Sequence, residues 1–353
     1  MNRYKKWLIK LFCLIVAPLA VVGLFNYYMD PLWCFSGSHR WNNAQLDLND
    51  RQQKTNALVF QKPGFDTILL GSSITTFINH NEFTGMKVYN YASPLMKPWE
   101  YAGYVANAKR AGGRDLKNII IGMDFFGSNK IIREKFDDPV KYYDTANSLF
   151  YRYKILFNMK TFDFSKRNLQ QSLKVTRAVY TRDYVRSFPD LGRHKIKFAE
   201  PGKMEYQYNE GLSGILAGLQ EVSREANLTV FVTPVSKHLI CYYFDKGLLP
   251  DYERWLRELV GKFGPVYDFM YLNPVTEDNT NFFDAEHFYP KIGSLIVDKL
   301  MGREKGHADF GVLLTPENIE DRLKFLRSNI GACRNLFEGQ PIMTNDRGVR
   351  HEK

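Results

Sequence analysis

Short runs of consecutive apolar residues recur along this chain, each bounded by turn residues and separated from the next by a helical pattern. They predict buried strands at 65–71, 87–91, 118–124, 228–234 and, more briefly, 266–269. Apolar residues on one face predict helices at 98–112, 212–226, 250–263 and 290–301. Strands that are apolar throughout must be buried on both faces, which is typical of parallel sheets. The predicted fold class is therefore α/β, with three layers and helices on both faces of a parallel sheet.

The longest uncharged apolar run, Leu11–Phe25, lies near the N-terminus and follows a basic cluster at residues 1–10. With its flanks, Trp7–Tyr28, it forms a helix just long enough to span a bilayer core of about 30 Å. Because Lys and Arg stay on the cytoplasmic side, we expect residues 1–10 in the cytoplasm and a transmembrane anchor at 11–28 of the plasma membrane. The remainder is then extracytoplasmic. A cleaved signal peptide is the alternative, and it exports the remainder as well.

The basic excess of this 353-residue chain is local. The net charge is +10, and the segment 130–204 alone contains 17 basic and 8 acidic residues, interleaved with aromatic residues. In an exported protein this excess does not indicate nucleic acid as a partner. It fits an ordinary helical subdomain, and equally an anionic lipid surface, an anionic glycan or a partner membrane protein.

Common cofactor and metal motifs are missing from the sequence. Neither G-x-x-x-x-G-K-[ST] nor G-x-G-x-x-G occurs, and no two cysteines form a C-x-x-C pair. We therefore expect no cofactor and no metal site. Three cysteines, Cys34, Cys241 and Cys333, follow the apolar run. In an oxidising compartment they allow one disulfide, and their spacing does not identify the pair.

These patterns also suggest how the chain is divided. A polar juxtamembrane stretch occupies residues 29–62, and the α/β domain occupies 63–302. Within that domain the basic, aromatic segment 126–206 is predicted to be a helical insertion. Residues 303–353 are polar, with one amphipathic helix near 316–327, and are predicted to form an appendage.

Two short polar motifs stand out against this framework. The first strand ends in Gly71-Ser72-Ser73, at the sheet edge where ligands bind in α/β proteins. Asp284 and His287 are three residues apart, the spacing of one helical turn. Such a carboxylate can fix the histidine tautomer, so that the other ring nitrogen accepts a proton from a serine. Each motif alone also fits turn or capping chemistry, and without a third nearby ligand a metal site is the weaker interpretation.

Together the two motifs resemble those of the SGNH (GDSL-type) hydrolase superfamily, in which Gly-Asp-Ser follows the first strand and Asp-x-x-His closes the domain. The resemblance covers residues 65–302 with the insertion. It implies a flavodoxin-like three-layer fold in which Ser73 is the nucleophile, His287 the general base and Asp284 the residue that orients it. It also implies an oxyanion site formed by the backbone N–H groups of Ser73 and Ala92, with Ala92 in place of the family's glycine.

The third oxyanion position departs from the family pattern. The family's Gly-x-Asn-Asp motif supplies an asparagine side chain, whereas this chain reads Gly122-Met123-Asp124, with Asp124 at the asparagine position. An ionised carboxylate only accepts hydrogen bonds and repels an oxyanion. Asp124 can donate only when it is protonated, which requires a pKa raised by burial.

In pattern the chain looks most like membrane-anchored SGNH proteins of cell-surface glycan O-acetylation and of teichoic acid D-alanine transfer. This similarity implies an extracytoplasmic acyl (acetyl) transferase or esterase acting on a cell-surface polysaccharide. It also implies a partner, a multi-span membrane acyltransferase that delivers the acyl group. The alternative, favoured by Asp124, is a non-catalytic SGNH-like scaffold that binds glycan or such an acyltransferase.

Overall fold

The structure, a computed structural model, describes residues 3–35, 37–112, 116–131, 135–188, 205–303 and 309–333. Parts of the predicted insertion (132–134 and 189–204) and of the predicted appendage (304–308 and 334–353) lie outside these ranges, as do the first two residues of the basic cluster.

The bounds of the regular elements are as follows. The helices are α1 (Arg3–Met29), α2 (Asp50–Asn56), α3 (Pro98–Gly112), α4 (Pro139–Ala146), α5 (Tyr151–Leu156), α6 (Met159–Leu173), α7 (Leu212–Val222), α8 (Lys237–Asp245), α9 (Leu249–Phe263), α10 (Pro274–Glu277), α11 (Pro290–Leu300) and α12 (Ile319–Asn329). The strands are β1 (Thr67–Leu70), β2 (Val88–Asn90), β3 (Asn118–Met123), β4 (Val179–Tyr180), β5 (Arg186–Ser187), β6 (Asn227–Val232), β7 (Val266–Asp268) and β8 (Val312–Leu314).

The apolar N-terminal run is helical throughout. α1 has 27 residues and is long and apolar enough to cross a membrane. At about 1.5 Å per residue its length exceeds a bilayer core of about 30 Å. Pro18 lies inside it, and membrane helices tolerate such a proline. Its large apolar side chains, from Trp7 to Leu24, are mostly exposed.

The chain forms two compact units. The first consists of Met1–Gly64, Ala106–Arg114 and Asp137–Pro189, and the second of the remaining segments. The first unit therefore combines α1 and the stretch after it with α4, α5, α6 and the β4–β5 hairpin, which are the described core of the predicted insertion. The second unit contains the central sheet.

The polar stretch after α1 is buried, although its sequence looks solvated. All seven residues of α2 are polar and buried. Their hydrogen bonds explain this: Gln53 Nε2 donates to the carbonyl oxygens of Pro31 and Leu46, both at 2.9 Å. Gln52 Nε2 donates to the carbonyl oxygen of Tyr142 at 3.0 Å. Because these polar groups are paired, their burial is tolerated.

The central sheet of the second unit has six strands in the order β2-β1-β3-β6-β7-β8. The first five are parallel to one another, and β8 is antiparallel to β7. The predicted mixed α/β class with a mostly parallel sheet is confirmed, and the five predicted strands are present within a few residues of their predicted bounds. The register places Met123 beside Val232, so the residues that follow β3 and β6 are neighbours at the carboxyl edge.

The sheet continues past residue 302, where the sequence analysis ended the domain. β8 pairs with β7 along three residues, and Leu314, Leu323 and Leu326 are buried. A disulfide joins Cys241 of α8 to Cys333, whereas Cys34 is a buried free thiol. Residues 309–333 are therefore part of the second unit's core rather than peripheral to it. The prediction missed this strand because its short apolar run, Val312–Leu314, lies within an otherwise polar stretch.

Candidate active site

A close approach between two strands sets the position of the first motif. The side chain of Thr75 lies against both Gly71 and Gly122, at positions where a Cβ would clash with it. Gly71 also has φ +152°, a value that favours glycine. The chain therefore leaves β1 in a sharp turn and brings Ser72 and Ser73 to the carboxyl edge of the sheet.

The two serines of this turn have different surroundings. Ser73 is partly exposed, and its Oγ lies 2.8 Å from His287 Nε2. Ser72 is fully buried; its Oγ accepts from the backbone N–H of Ile74 at 3.3 Å, and it also hydrogen-bonds Asp124. The hydroxyl that faces the histidine is thus that of Ser73.

Asp284 and His287 are carried by a loop rather than by the helical turn that their spacing suggested. The loop is closed by a bridge between Phe282 and Phe288, and helix α11 starts only at Pro290. Inside it the carboxylate oxygen Oδ1 of Asp284 accepts from the backbone N–H groups of Glu286 and His287, at 2.8 and 2.7 Å. This side-chain turn brings the two residues together without a helix.

The two side chains form a charge-assisted pair. His287 Nδ1 lies 2.8 Å from Asp284 Oδ2 and 3.0 Å from Oδ1. Burial favours the protonated form of Asp284, but the interactions with His287 and with the backbone N–H groups outweigh it and lower the pKa of the carboxyl. An ionised Asp284 only accepts, so Nδ1 carries the proton and Nε2 is left to accept from the Ser73 hydroxyl.

Aromatic packing and one backbone anchor fix the histidine. The ring of Phe283 stacks on His287 with centroids 5.4 Å apart, and Phe77 meets it edge-on at 6.1 Å. Ser236, just after β6, donates through its N–H and its Oγ to the carbonyl oxygen of Ala285, at 3.1 and 2.9 Å. The loop is therefore tied to the same sheet edge that carries Ser73.

The two backbone N–H groups predicted to stabilise the oxyanion differ in whether they already donate a hydrogen bond. Among the described residues, the backbone N–H of Ser73 donates to no acceptor. The N–H of Ala92 donates to its neighbour Asn90 Oδ1 at 3.1 Å. Asn90 is itself held by donating Nδ2 to the carbonyl oxygens of Thr75 and Ile78, at 3.2 and 3.1 Å. An oxyanion would have to compete with Asn90 for the Ala92 donor.

Asp124 is buried at the end of β3. In its ionised form it cannot donate a hydrogen bond. Its Oδ1 accepts from the hydroxyl of Thr233, and its Oδ2 contacts no donor in the described part of the chain. Burial raises the pKa of Asp124 to about 6, although the hydrogen bonds from Ser72 and Thr233 favour the carboxylate. The carboxyl is therefore easier to protonate than an ordinary aspartate.

Lys97 supplies positive charge beside this carboxyl. Its Nζ donates to the carbonyl oxygen of Phe126 at 2.8 Å and lies 4.1 Å from the centroid of the Phe126 ring. Burial lowers the pKa of Lys97 to about 8, against the attraction of Asp124. Lys97 and Asp124 therefore form a pair of opposite charges that attract each other at this edge of the sheet.

The structure brings Ser73, Asp284 and His287 into one hydrogen-bonded chain and places Ala92 and Asp124 after the two strands that flank β1. Sequence reasoning missed Thr233 and the stacking residue Phe283. Thr233 directly follows β6, and it lies beside Asp124 through the register of β3 and β6, which sequence patterns do not give. Among the described residues no group of three or more His, Cys, Asp and Glu side chains is arranged to hold a metal ion.

No family model matches the chain, and no curated protein matches it. The geometry of the site and the order of the strands are therefore what a functional argument has to use.

Proposed function

We propose that this protein is a membrane-anchored, extracytoplasmic SGNH-type acyl (acetyl) transferase or esterase that acts on a cell-surface polysaccharide. The observation that carries the proposal is the chain of hydrogen bonds from Asp284 through His287 to Ser73, with 2.8 Å at each junction. Nucleophile, base and orienting carboxylate in this geometry are the working parts of serine acyl transfer.

The order of the five parallel strands, β2-β1-β3-β6-β7, supports the fold part of the proposal. It is the flavodoxin-like order that the SGNH resemblance implies. In such sheets the ligand site lies at the carboxyl ends of the strands, and Ser73 and Asp124 both follow strand ends.

In the first half-reaction, Ser73 Oγ attacks the acyl carbon of the donor while His287 Nε2 takes the hydroxyl proton. The tetrahedral intermediate then collapses, and His287 returns the proton to the departing alcohol oxygen. Asp284, held ionised, stabilises the imidazolium between these steps. The acyl group is left as an ester on Ser73.

In the second half-reaction, His287 accepts a proton from an incoming hydroxyl, which attacks the ester. The tetrahedral intermediate then collapses, and His287 returns the proton to the departing Ser73 Oγ. A glycan hydroxyl makes the protein a transferase, and water makes it an esterase. Transfer requires an acceptor held at the acyl carbon with water kept away. A multi-span membrane acyltransferase is the proposed source of the acyl group.

The N–H of Ser73 is the first donor to the oxyanion, and the N–H of Ala92 joins it once released from Asn90. Asp124 stabilises the oxyanion only in its protonated form, because an ionised carboxylate repels it. We therefore expect slow intrinsic hydrolysis. Each missing oxyanion donor costs roughly 10²–10³-fold in rate.

Two observations support the exported, anchored location. α1 is long and apolar enough to span a membrane, and its apolar part follows basic residues. The disulfide between Cys241 and Cys333 fits an oxidising compartment.

The second candidate is a non-catalytic scaffold that binds glycan or an acyltransferase. Asp124 at the position of the family's asparagine favours it, as does the engaged Ala92 donor. In this case the Ser73–His287–Asp284 chain would be a structural remnant.

The two candidates differ in one assay. Acyl release from an acetyl-type chromogenic ester is measured with and without a polysaccharide acceptor, for the wild type and for Ser73→Ala. A transferase releases the acyl group slowly alone and faster with acceptor, and Ser73→Ala abolishes both. Fast release that ignores the acceptor identifies an esterase, and equal release by both proteins supports the scaffold.

A further inference from the structure

A group of exposed apolar side chains lies on the first unit, on α5 and on the turns that flank it. Its members are Leu149, Phe150, Tyr153, Phe157 and Met159, each between 52% and 75% exposed. We call these five residues the 149–159 surface. A cluster of large exposed apolar side chains marks an interaction site, whereas single ones are ordinary.

The 149–159 surface is fixed to the C-terminal end of α1. The ring of Phe157 packs on Gly23, where a Cβ would lie 2.7 Å from Phe157 Cε1. Asn26, buried on α1, donates through Nδ2 to the carbonyl oxygens of Leu156 and Asn158, at 2.7 and 3.3 Å. These contacts hold the surface at a defined level along α1.

That level corresponds to the boundary of a bilayer spanned by α1. Tyr27 and Tyr28 are exposed at the end of the helix, where tyrosines mark the membrane interface. Gly23 lies about 8 Å before Tyr28 along the helix axis. Phe157 is therefore at the depth to which interfacial segments bury their apolar face, about 5–10 Å. Leu24, next to Gly23 in the sequence, is 68% exposed, so α1 still carries an exposed apolar side chain at this level.

Exposed basic side chains accompany the apolar ones along α5 and α6. Lys154 and Lys160 are exposed next to the surface, and Lys166 and Arg167 follow on α6. Asp163 is the one exposed acidic residue in this stretch of α5 and α6 and pairs with Lys166 at 2.6 Å. An apolar centre with a basic rim is the pattern of segments that lie in the headgroup region of anionic membranes.

We propose that the 149–159 surface inserts into the boundary of the bilayer that α1 spans, as a second, monotopic membrane contact. This inference rests on the membrane anchoring proposed above. Its consequence is orientation, since a single helix leaves the first unit free to tilt, whereas two attachments fix its height and direction. A protein partner is the competing occupant, and the shared level with the span and the basic rim favour lipid.

The test uses the full chain reconstituted in anionic phospholipid vesicles, with tryptophan fluorescence quenched by brominated acyl chains or by aqueous iodide. Phe157→Trp and Tyr153→Trp report on the surface; the second residue faces outward on α5 and its replacement does not need to fit against α1. Leu173→Trp is the matched control, because it is 63% exposed at the far end of α6, about 20 Å from Met159. Phe12→Trp reports on the span itself. The unsubstituted chain supplies the background of its five tryptophans.

We expect brominated lipid, and not iodide, to quench the tryptophans introduced at positions 153 and 157. At position 173 we expect iodide, and not brominated lipid, to quench the introduced tryptophan. If Phe12→Trp is quenched by lipid but 153 and 157 behave like 173, the inference is wrong while the anchor stands. The same result is expected if the surface binds a partner protein instead of lipid, because the vesicles contain no partner protein. If Phe12→Trp is not quenched by lipid, the anchoring itself is wrong and the inference falls with it.

Discussion

Ser73 Oγ and His287 Nε2 lie 2.8 Å apart, although 214 residues separate them in the sequence. Two features of the fold bring them together: the turn after β1, made possible by Gly71 and Gly122, and the loop before α11, tied by Ser236 to the end of β6. The contact joins the two motifs that sequence patterns suggested independently. It is also the basis of the predictions that follow.

Asp284→Asn should lower the rate of acyl transfer by roughly 10⁴-fold, because the amide no longer fixes the tautomer in which Nε2 accepts from Ser73. The initial rate on a chromogenic ester measures this. The control is Asp278→Asn, a carboxyl in the preceding loop that caps the turn at Thr280 and does not contact His287. Equal rates for Asp284→Asn and the wild type would contradict the assigned role.

The same variant has a predicted effect on stability. The pKa of Asp284 is lowered in the folded protein, so its ionisation stabilises the fold above the unfolded pKa of about 3.9 and that contribution is lost as pH falls through the folded value. The stability deficit of Asp284→Asn should therefore shrink below pH 4. Denaturant midpoints measured across acid pH check the sign.

The stability of Asp124→Asn relative to the wild type should change with pH in the opposite direction. The pKa of Asp124 is raised from 3.8 to about 6, so the folded protein binds its proton more tightly and this group's contribution to stability falls as pH rises from 4 to 6. Asparagine does not titrate, so Asp124→Asn does not lose stability in this pH range through this position. Its stability relative to the wild type should rise over that range, by roughly 1–3 kcal/mol. A difference that stays constant with pH would show that the carboxyl is not perturbed.

Asp124→Asn should also increase acyl release at neutral pH, because its amide can donate where an ionised carboxylate cannot. Asp124→Ala, which removes the charge without adding a donor, separates the two effects. We expect the asparagine variant to be faster than the alanine variant. Release that is unchanged or slower in Asp124→Asn would mean that Asp124 is not placed to interact with the oxyanion.

Loss of the disulfide should destabilise the second unit. Cys241→Ser and Cys333→Ser should each lower the free energy of unfolding by about 2–4 kcal/mol, and the double variant should lose no more than either alone. Cys13→Ser, at an exposed free thiol on α1, is the matched control. Thermal or denaturant unfolding in the same detergent measures the wild type and the four variants. Full additivity of the two changes would show that the cysteines are not bonded.

Topology is tested by a C-terminal reporter that is active only outside the cytoplasm. The basic residues before the apolar part of α1 predict an active fusion. A well-expressed but inactive fusion would overturn the extracytoplasmic location, and with it the cell-surface substrate.

The parallel strands and the two end motifs could be predicted because their signals are local. An apolar run identifies β3 by itself, and Asp284 and His287 are close in sequence. α2 could not be predicted as buried, since its polar groups are paired by segments as distant as Tyr142. β8 was missed because its short apolar run lies in an otherwise polar stretch, after the last predicted core helix. Thr233 depends on strand register, which becomes visible only when β6 is placed beside β3.

Trapping the acyl-enzyme shows whether Ser73 is the nucleophile. The protein is incubated briefly with an activated acetyl ester, quenched in acid and analysed by peptide mass spectrometry. Ser73→Ala and Ser223→Ala, a buried serine at the end of α7, are the comparison proteins. The account predicts an acetyl group on Ser73 in the wild type and in Ser223→Ala, and none at this site in Ser73→Ala. A wild type without acetyl on Ser73, while its unlabelled peptide is recovered, would contradict it.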